Sequence, residues 1–181
     1  MPLMVAIAMA IKLEGPGPVL FGHWRMGPGG RRFRCLKFRS MHLDAEVQLR
    51  RDQALYAAYL RNDYKLPCAV DPRITRFGRV LRTTSLDELP QLWNVLRGEM
   101  SLVGPRPVVP EELQEYRDGA TLLLSLKPGL SGAWAVQGRS QLGYPQRARV
   151  ELAYVRQWRF SLDVAILART LPAVLSRRGA R

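Results

Sequence analysis

The sequence predicts a mixed α/β fold, a small β-hairpin or sheet with helices around it, and three observations carry that prediction. A run of period-two alternation is split by a Gly-Pro-Gly-Gly turn at residues 27–30. Two later stretches, DPRITRFGRVLRTT and SLDELPQLWNVLRG, repeat apolar residues at helical spacing. The last forty residues interleave aromatic and aliphatic side chains with arginine in a helical pattern. At 181 residues and 47% hydrophobic content, the chain is long enough for one domain with a real core.

Taken in order, the elements begin with MPLMVAIAMAI, an apolar run too short to span a bilayer, which needs ~20 residues. Ala8-Met9-Ala10 resembles a signal-peptidase site, but no positive leader precedes the apolar stretch. A buried core helix and a re-entrant or interfacial helix both remain open. GPGPVLFGHWRMGPGGRRFRCLKFRSM follows as the hairpin. On its second strand, alternation puts Lys37 and Arg39 on one face with Phe33 and Cys35, so that two cations aim at one spot. A solvated basic edge strand is the plainer reading of the same residues.

Residues 42–62 suit a surface helix that ends before Pro67. In the next stretch Asp71 is the expected N-cap and Pro72 the first helical residue, with Ile74, Phe77, Val80 and Leu81 as the apolar face. Arg73, Arg76, Arg79 and Arg82 recur every third residue, and because three residues turn a helix by about 300° they fan across its polar side. Most are expected to be surface charge, with one or two facing a ligand.

SLDELPQLWNVLRG is expected as a helix buried through Leu86, Leu89, Trp93 and Leu96, or Leu89, Leu92 and Leu96, and stopped by Gly98. Ser85 with Glu88 fits a capping box, but Pro90 would then break the first turn; Asp87 as cap avoids that. Either way one carboxylate of the Asp87–Glu88 pair is surplus to capping. A helix N-terminus and the preceding arginines are expected to hold such a carboxylate ionised. Downstream, Pro105 and Pro107 stiffen the backbone around Arg106 and fix its guanidinium, either for phosphate or a planar base or as part of an exposed connector. In LKPGLSGAWAVQGRS, the amides of Gly129, Gly132 and Gly138 are placed to approach an anion. The C-terminal stretch forms one or two helices, either lying in a membrane interface or packed on the domain.

A net charge of +13 and a pI near 10.8 point to anionic partners: nucleic acid, an acidic membrane surface or a phosphorylated substrate. Cys35 and Cys68 are isolated and only His23 and His42 accompany them, which excludes a disulfide framework and argues against zinc or histidine-centred chemistry.

The series KFRSM, DPRITRFGRVLRTTSLDELPQLWNVLRGEMSLVGPRP, KPGLSGAWAVQGRS and AYVRQWRFSLDVAILART resembles the bacterial sugar transferases, the monotopic phosphoglycosyl transferases of surface-polysaccharide assembly. The likeness spans nearly the whole chain in order, and residues 42–62 with the ending SRRGAR look like its exopolysaccharide and O-antigen branch. It implies transfer of hexose-1-phosphate from a UDP-hexose to undecaprenyl phosphate, releasing UMP. Asp87 would be the nucleophile, forming a covalent aspartyl intermediate, and Glu88 would help hold Mg²⁺ or orient the lipid phosphate. Lys37, Arg39, Arg82, Arg106 and Arg139 would bind substrate, and Asp87 and Glu88 would be the metal ligands.

The same resemblance implies that residues 1–14 are a truncated re-entrant membrane helix, broken at Pro2, and that residues 15–181 are one transferase domain with amphipathic interfacial helices at its C-terminus. The expected place is the cytoplasmic face of a bacterial inner membrane, against anionic lipid and without nucleic acid, a homodimer being left open. Two positions depart from the family pattern: His23 replaces a usual Gln, and Glu151 a usual Asp. Two other readings accompany the enzyme, an inactive truncated remnant that binds membranes or pathway partners, and a basic nucleic-acid-binding module that lacks any recognisable base-reading motif.

Overall fold

A computed structural model describes residues 2–62, 66–138 and 142–175. It is mixed α/β, with two small sheets among helices. Two compact units are formed, one taking its described residues from Met1–Phe21 and Lys37–Leu89, the other from Gly22–Leu36 and Pro90–Gly179.

In the first unit, α1 (Pro2–Glu14) is apolar on every side up to Lys12 but buries one stripe. Ile7 and Ile11 pack with Phe38 and Leu81, flanked by Met4, Val19, Phe77, Leu86 and Leu89. Leu3, Val5, Met9 and Leu13 point outward. The C-terminal end of α1 is tied down: Arg39 donates to the carbonyl of Ile11, one of those the helix leaves without an intrahelical donor, and to those of Gly15 and Pro16 just beyond it. At the same end, Glu14 accepts from the Thr75 hydroxyl and the Phe77 amide.

The hairpin forms as predicted, from β1 (Leu20–Met26) and β2 (Arg32–Phe38) joined by a 3₁₀ turn at Pro28–Gly30. Residues 42–62 do not form one helix. Asp52 leaves helical geometry and accepts from the Leu55 amide, so it caps a new helix and divides the segment into α2 (Ala45–Arg51) and α3 (Gln53–Arg61). The expected cap at Asp71 is also displaced. Thr75 caps α4 (Arg76–Thr84) through a 2.9 Å bond from the Gly78 amide, while buried Asp71 forms a two-pronged pair with Arg73 at 2.8 Å. Arg76 and Arg79 are exposed, in keeping with the fan across the polar side.

In the second unit the expected long helix is short, α5 (Gln91–Leu96), and it is turned inside out. Leu92, Trp93 and Leu96 are exposed, whereas Gln91 and Asn94 are buried. Asn94 makes the polar face worth burying: it accepts from the Leu36 amide at 3.0 Å and donates to the Arg34 carbonyl at 2.8 Å and to Glu99 at 2.6 Å, fixing α5 to β2. Gly98, in the left-handed region, stops the helix as predicted.

Next, β3 (Ser101–Val103) pairs in parallel with β4 (Gly129–Ser131), Ser101 opposite Gly129 and Val103 opposite Ser131. Gly129 and Gly132 let this pairing form. A Cβ on either would lie 2.0–2.1 Å from the backbone of Gly104. A 3₁₀ run at Pro110–Gly119 leads into α6 (Ala120–Leu123), and α7 (Ala133–Val136) follows β4. The C-terminal stretch is two helices, α8 (Gln146–Arg156) and α9 (Phe160–Leu175). Among the described residues three clusters fill this unit: one around Val103, Tyr154, Val155 and Ile166, one around Val108, Tyr116, Leu123 and Ala148, and one of Phe33, Cys35 and Met100. No helix among the described residues is long and apolar enough to cross a membrane.

Candidate active site

The Asp87–Glu88 pair lies in the first unit, on a 3₁₀ turn (Leu86–Glu88) that begins where α4 ends. Ser85 closes α4 with φ 59° in the left-handed region, which turns the chain sharply and denies it the N-cap geometry of a capping box. Asp87 is not an N-cap either. The apolar neighbours Leu86 and Leu89 are drawn into the cluster beneath α1, and this carries Asp87 to 7% exposure.

Lys37, at the end of β2, reaches the pair, its Nζ 2.7 Å from Glu88 Oε1 and 3.8 Å from Asp87 Oδ2. Arg82 donates through Nε to Ser40 Oγ at 2.9 Å, and the contact depends on Gly78. A Cβ there would lie 2.1 Å from the Ser40 carbonyl, so glycine lets α4 approach the chain leaving β2. The Asp87 carboxyl is held above its ordinary range, because burial outweighs the pull of Lys37 and Arg82 while Glu88 pushes the same way as burial. The direction is opposite to the dipole-stabilised lowering expected from sequence. Cys68 is buried, and its thiol is pushed up by desolvation while the Arg82 charge and hydrogen bond draw it down.

The expected partnership of Lys37 and Arg39 does not form. β2 ends at Phe38, and past it Arg39 turns to the end of α1 while Lys37 faces the carboxylates. Arg106 belongs to the second unit, where its amide donates to Glu151 Oε1 at 3.2 Å and its guanidinium lies 5.4 Å over the Trp134 ring. Arg139 lies outside the described residues.

Sequence reasoning missed Ser40, which seats Arg82, and Asn94; a serine after the KFR run and an asparagine on an apolar helix gave only faint signals. It also missed the weight of Glu151, which is 1% exposed, accepts from the Tyr116 hydroxyl and has its carboxyl pushed up to about 7, chiefly by burial.

Among the described residues no group of three His, Cys, Asp or Glu side chains gathers as a metal cage. Two adjacent carboxylates do fit a Mg²⁺ ion that keeps most of its waters and takes one or two protein oxygens. A desolvated carboxylate, a second carboxylate held by an ammonium, and an arginine seated by a serine make a site suited to an anionic, phosphate-bearing substrate.

Residues 1–177 match the bacterial sugar transferase family, and the chain belongs to it. It is 46% identical over 184 residues to the UDP-galactose-lipid carrier transferase of Erwinia amylovora, covering 99% of this chain and 38% of that protein. Against the exopolysaccharide production protein ExoY of Rhizobium meliloti the identity is 43% over 182 residues, with 98% of this chain and 79% of that protein covered. The UDP-glucose:undecaprenyl-phosphate glucose-1-phosphate transferase of Xanthomonas campestris pv. campestris is 39% identical over 99% of this chain and 36% of its own length. The chain thus spans less than two fifths of the Erwinia and Xanthomonas proteins.

Proposed function

We propose that the chain transfers a hexose-1-phosphate from a UDP-hexose to undecaprenyl phosphate, giving undecaprenyl-diphosphate-sugar and UMP as the first step of exopolysaccharide or O-antigen repeat-unit assembly. The observation that carries this reading is Asp87, buried with its carboxylate facing Lys37 beside a Lys37-bound Glu88, in a chain of the sugar transferase family. The donor and acceptor follow the names of relatives that carry UDP-galactose, UDP-glucose and undecaprenyl phosphate.

In this mechanism Asp87 attacks the phosphorus that bears the hexose. A P–O bond forms to the carboxylate while the bond to the uridylyl phosphate breaks, and UMP leaves with the electron pair. An oxygen of undecaprenyl phosphate then attacks the same phosphorus, and Asp87 departs as a carboxylate. Burial strips water from Asp87 and strengthens every charge around it; Lys37 and Arg82 oppose its protonation. Asp87 and Glu88 would hold Mg²⁺, which when bound supplies neutralisation of the diphosphate oxygens. Lys37 and Arg82 would steady phosphate oxygens, Arg106 the nucleotide half of the donor, and Arg39 would act through the end of α1.

The reading includes a membrane seat on the cytoplasmic face of the inner membrane. Outward Leu3, Val5, Met9 and Leu13 of α1, and Trp158 and Phe160 at the start of α9, suit residues 1–14 as part of a re-entrant helix and the C-terminal helices as interfacial. The experiment is UMP release from a panel of UDP-hexoses with undecaprenyl phosphate and Mg²⁺ in detergent, comparing the chain with Asp87→Asn. Release from one sugar above the others, abolished in a folded variant, is expected. An Asp87→Asn protein that turns over at the parent's rate would overturn the nucleophile assignment.

A further inference from the structure

The Pro-Arg-Pro segment at residues 105–107 has one backbone N–H, that of Arg106, because proline has none. The segment is pinned at each step before it: the Gly104 amide donates to the Ser131 carbonyl at 2.9 Å, and the Pro105 carbonyl accepts from the Gly129 amide at 2.8 Å. At Arg106 the strand pairing gives out, and the single amide goes to a side chain, Glu151 Oε1, at 3.2 Å. A neutral acceptor would satisfy that amide. A carboxylate at 1% exposure is a costly choice, and its surroundings show how it is kept.

The second oxygen of Glu151 accepts from the Tyr116 hydroxyl. Tyr116 is itself fixed edge-on against Tyr144, with ring centres 5.8 Å apart. Arg147, one turn back on α8 and 1% exposed, adds a buried positive charge; its guanidinium stacks on Tyr144 and donates to the Leu142 carbonyl. Glu151 therefore has a fixed rotamer with one oxygen directed at the Arg106 segment, and it carries a negative charge there once the pH passes about 7. Arg106 Nε is buried without a hydrogen-bond partner among the described residues, so its guanidinium is held over Trp134 by stacking and by charge.

We propose that Glu151, oriented by Tyr116, is the positioning residue for Arg106: it locks the backbone of the Pro-Arg-Pro segment and sets the guanidinium over Trp134, ready for the nucleotide half of the donor. This rests on the reading of Arg106 as a donor-binding residue. The carboxylate touches neither substrate nor reacting atoms in this scheme, so its loss is felt in donor affinity and not in the chemical step.

The test uses the full chain in detergent with Glu151→Gln, which keeps an acceptor for the amide but removes the charge, and Tyr116→Phe, which removes only the hydroxyl that orients Glu151. Calorimetric binding of UMP is expected to weaken about tenfold in Glu151→Gln, as loss of one charge-assisted contact carries, and the KM for the UDP-hexose to rise by the same factor with kcat nearly unchanged. Tyr116→Phe should move both in the same direction by less, and Glu151→Asp should recover part of the affinity. UMP affinity equal to the parent's in Glu151→Gln, or a fall in kcat at constant KM, would overturn the proposal. A parent that releases no UMP from any donor refutes the transferase reading instead. Hydrogen exchange then judges Glu151 alone: an Arg106 amide that exchanges as fast in the parent as in Glu151→Ala overturns its positioning role, and one slowed only in the parent supports it.

Discussion

Replacing Asn94 by alanine is the sharpest stability experiment, because three hydrogen bonds of one buried side chain hold α5 to β2. Alanine leaves the Leu36 amide and the Arg34 carbonyl without their partner and removes the bond to the Glu99 carboxylate. Two neutral bonds at about 1 kcal/mol each, and one to a charged group at about 1.5–3 kcal/mol, give a loss of about 3–5 kcal/mol. For a chain of this size that corresponds to a fall in Tm of roughly 6–20 °C. Asn94→Asp should cost more. It keeps the acceptor for Leu36 but sets a second carboxylate where Nδ2 stands 2.6 Å from Glu99. Thermal unfolding followed by circular dichroism in detergent, with hydrogen exchange at the Leu36 amide, measures both. An Asn94→Ala protein melting within about 2 °C of the parent, with Leu36 still protected, would refute the claim that buried polar contacts orient α5.

Lys37→Met removes the cation facing both carboxylates; since Lys37 draws the Asp87 carboxyl down, the acid limb of the pH–rate profile for UMP release should move to higher pH, and an unmoved limb would disconnect Asp87 from that limb. Glu151 titrates at about 7 in the folded chain against an ordinary 4.5, so the fold keeps a proton that the unfolded chain releases between those values, and stability contributed by this group falls as pH rises through that window. The slope integrates to about 3 kcal/mol. Melting curves of the parent and Glu151→Gln should therefore keep a constant offset below the window and shift in the variant's favour above it; parallel curves throughout would contradict the assignment. Serine at Val5, Met9 and Leu13 together should weaken binding to vesicles containing anionic lipid by tenfold or more, on the order of the apolar area removed, read by co-sedimentation, and unchanged binding would overturn the membrane seat proposed for the outward face of α1.

The hairpin was legible because a Gly-Pro-Gly-Gly turn and period-two alternation act locally and agree. The Asp87–Glu88 pair stood out because one carboxylate of it is surplus to capping in a basic chain, but that Lys37 near the end of β2 faces it is a tertiary contact that only the family resemblance suggested. The face of α5 was not, since an apolar stripe is read on the assumption that the other side meets water. Here Asn94 outbids the leucines by satisfying backbone groups that only tertiary structure brings beside it. The cap at Thr75 was passed over for Asp71 for the same cause. Asp71 looked like a cap until Arg73, two residues away, claimed both of its oxygens. Arg39 and Glu151 were invisible as structural anchors because their partners, the carbonyls ending α1 and the amide between two prolines, are backbone atoms that side-chain patterning does not register.

The two-faced character of α1 bears on how such a protein is handled at the bench. Trimming a hydrophobic N-terminus is an obvious way to obtain a detergent-free sample, and α1 invites it. Yet Ile7 and Ile11 roof the cluster that also holds Leu86 and Leu89, the residues on either side of Asp87–Glu88, and Glu14 supports the first turn of α4. A sample shortened to residues 15–181 would expose that cluster and loosen the turn bearing the carboxylates. Its silence in an assay would report a missing roof over the site as much as a lost lipid contact.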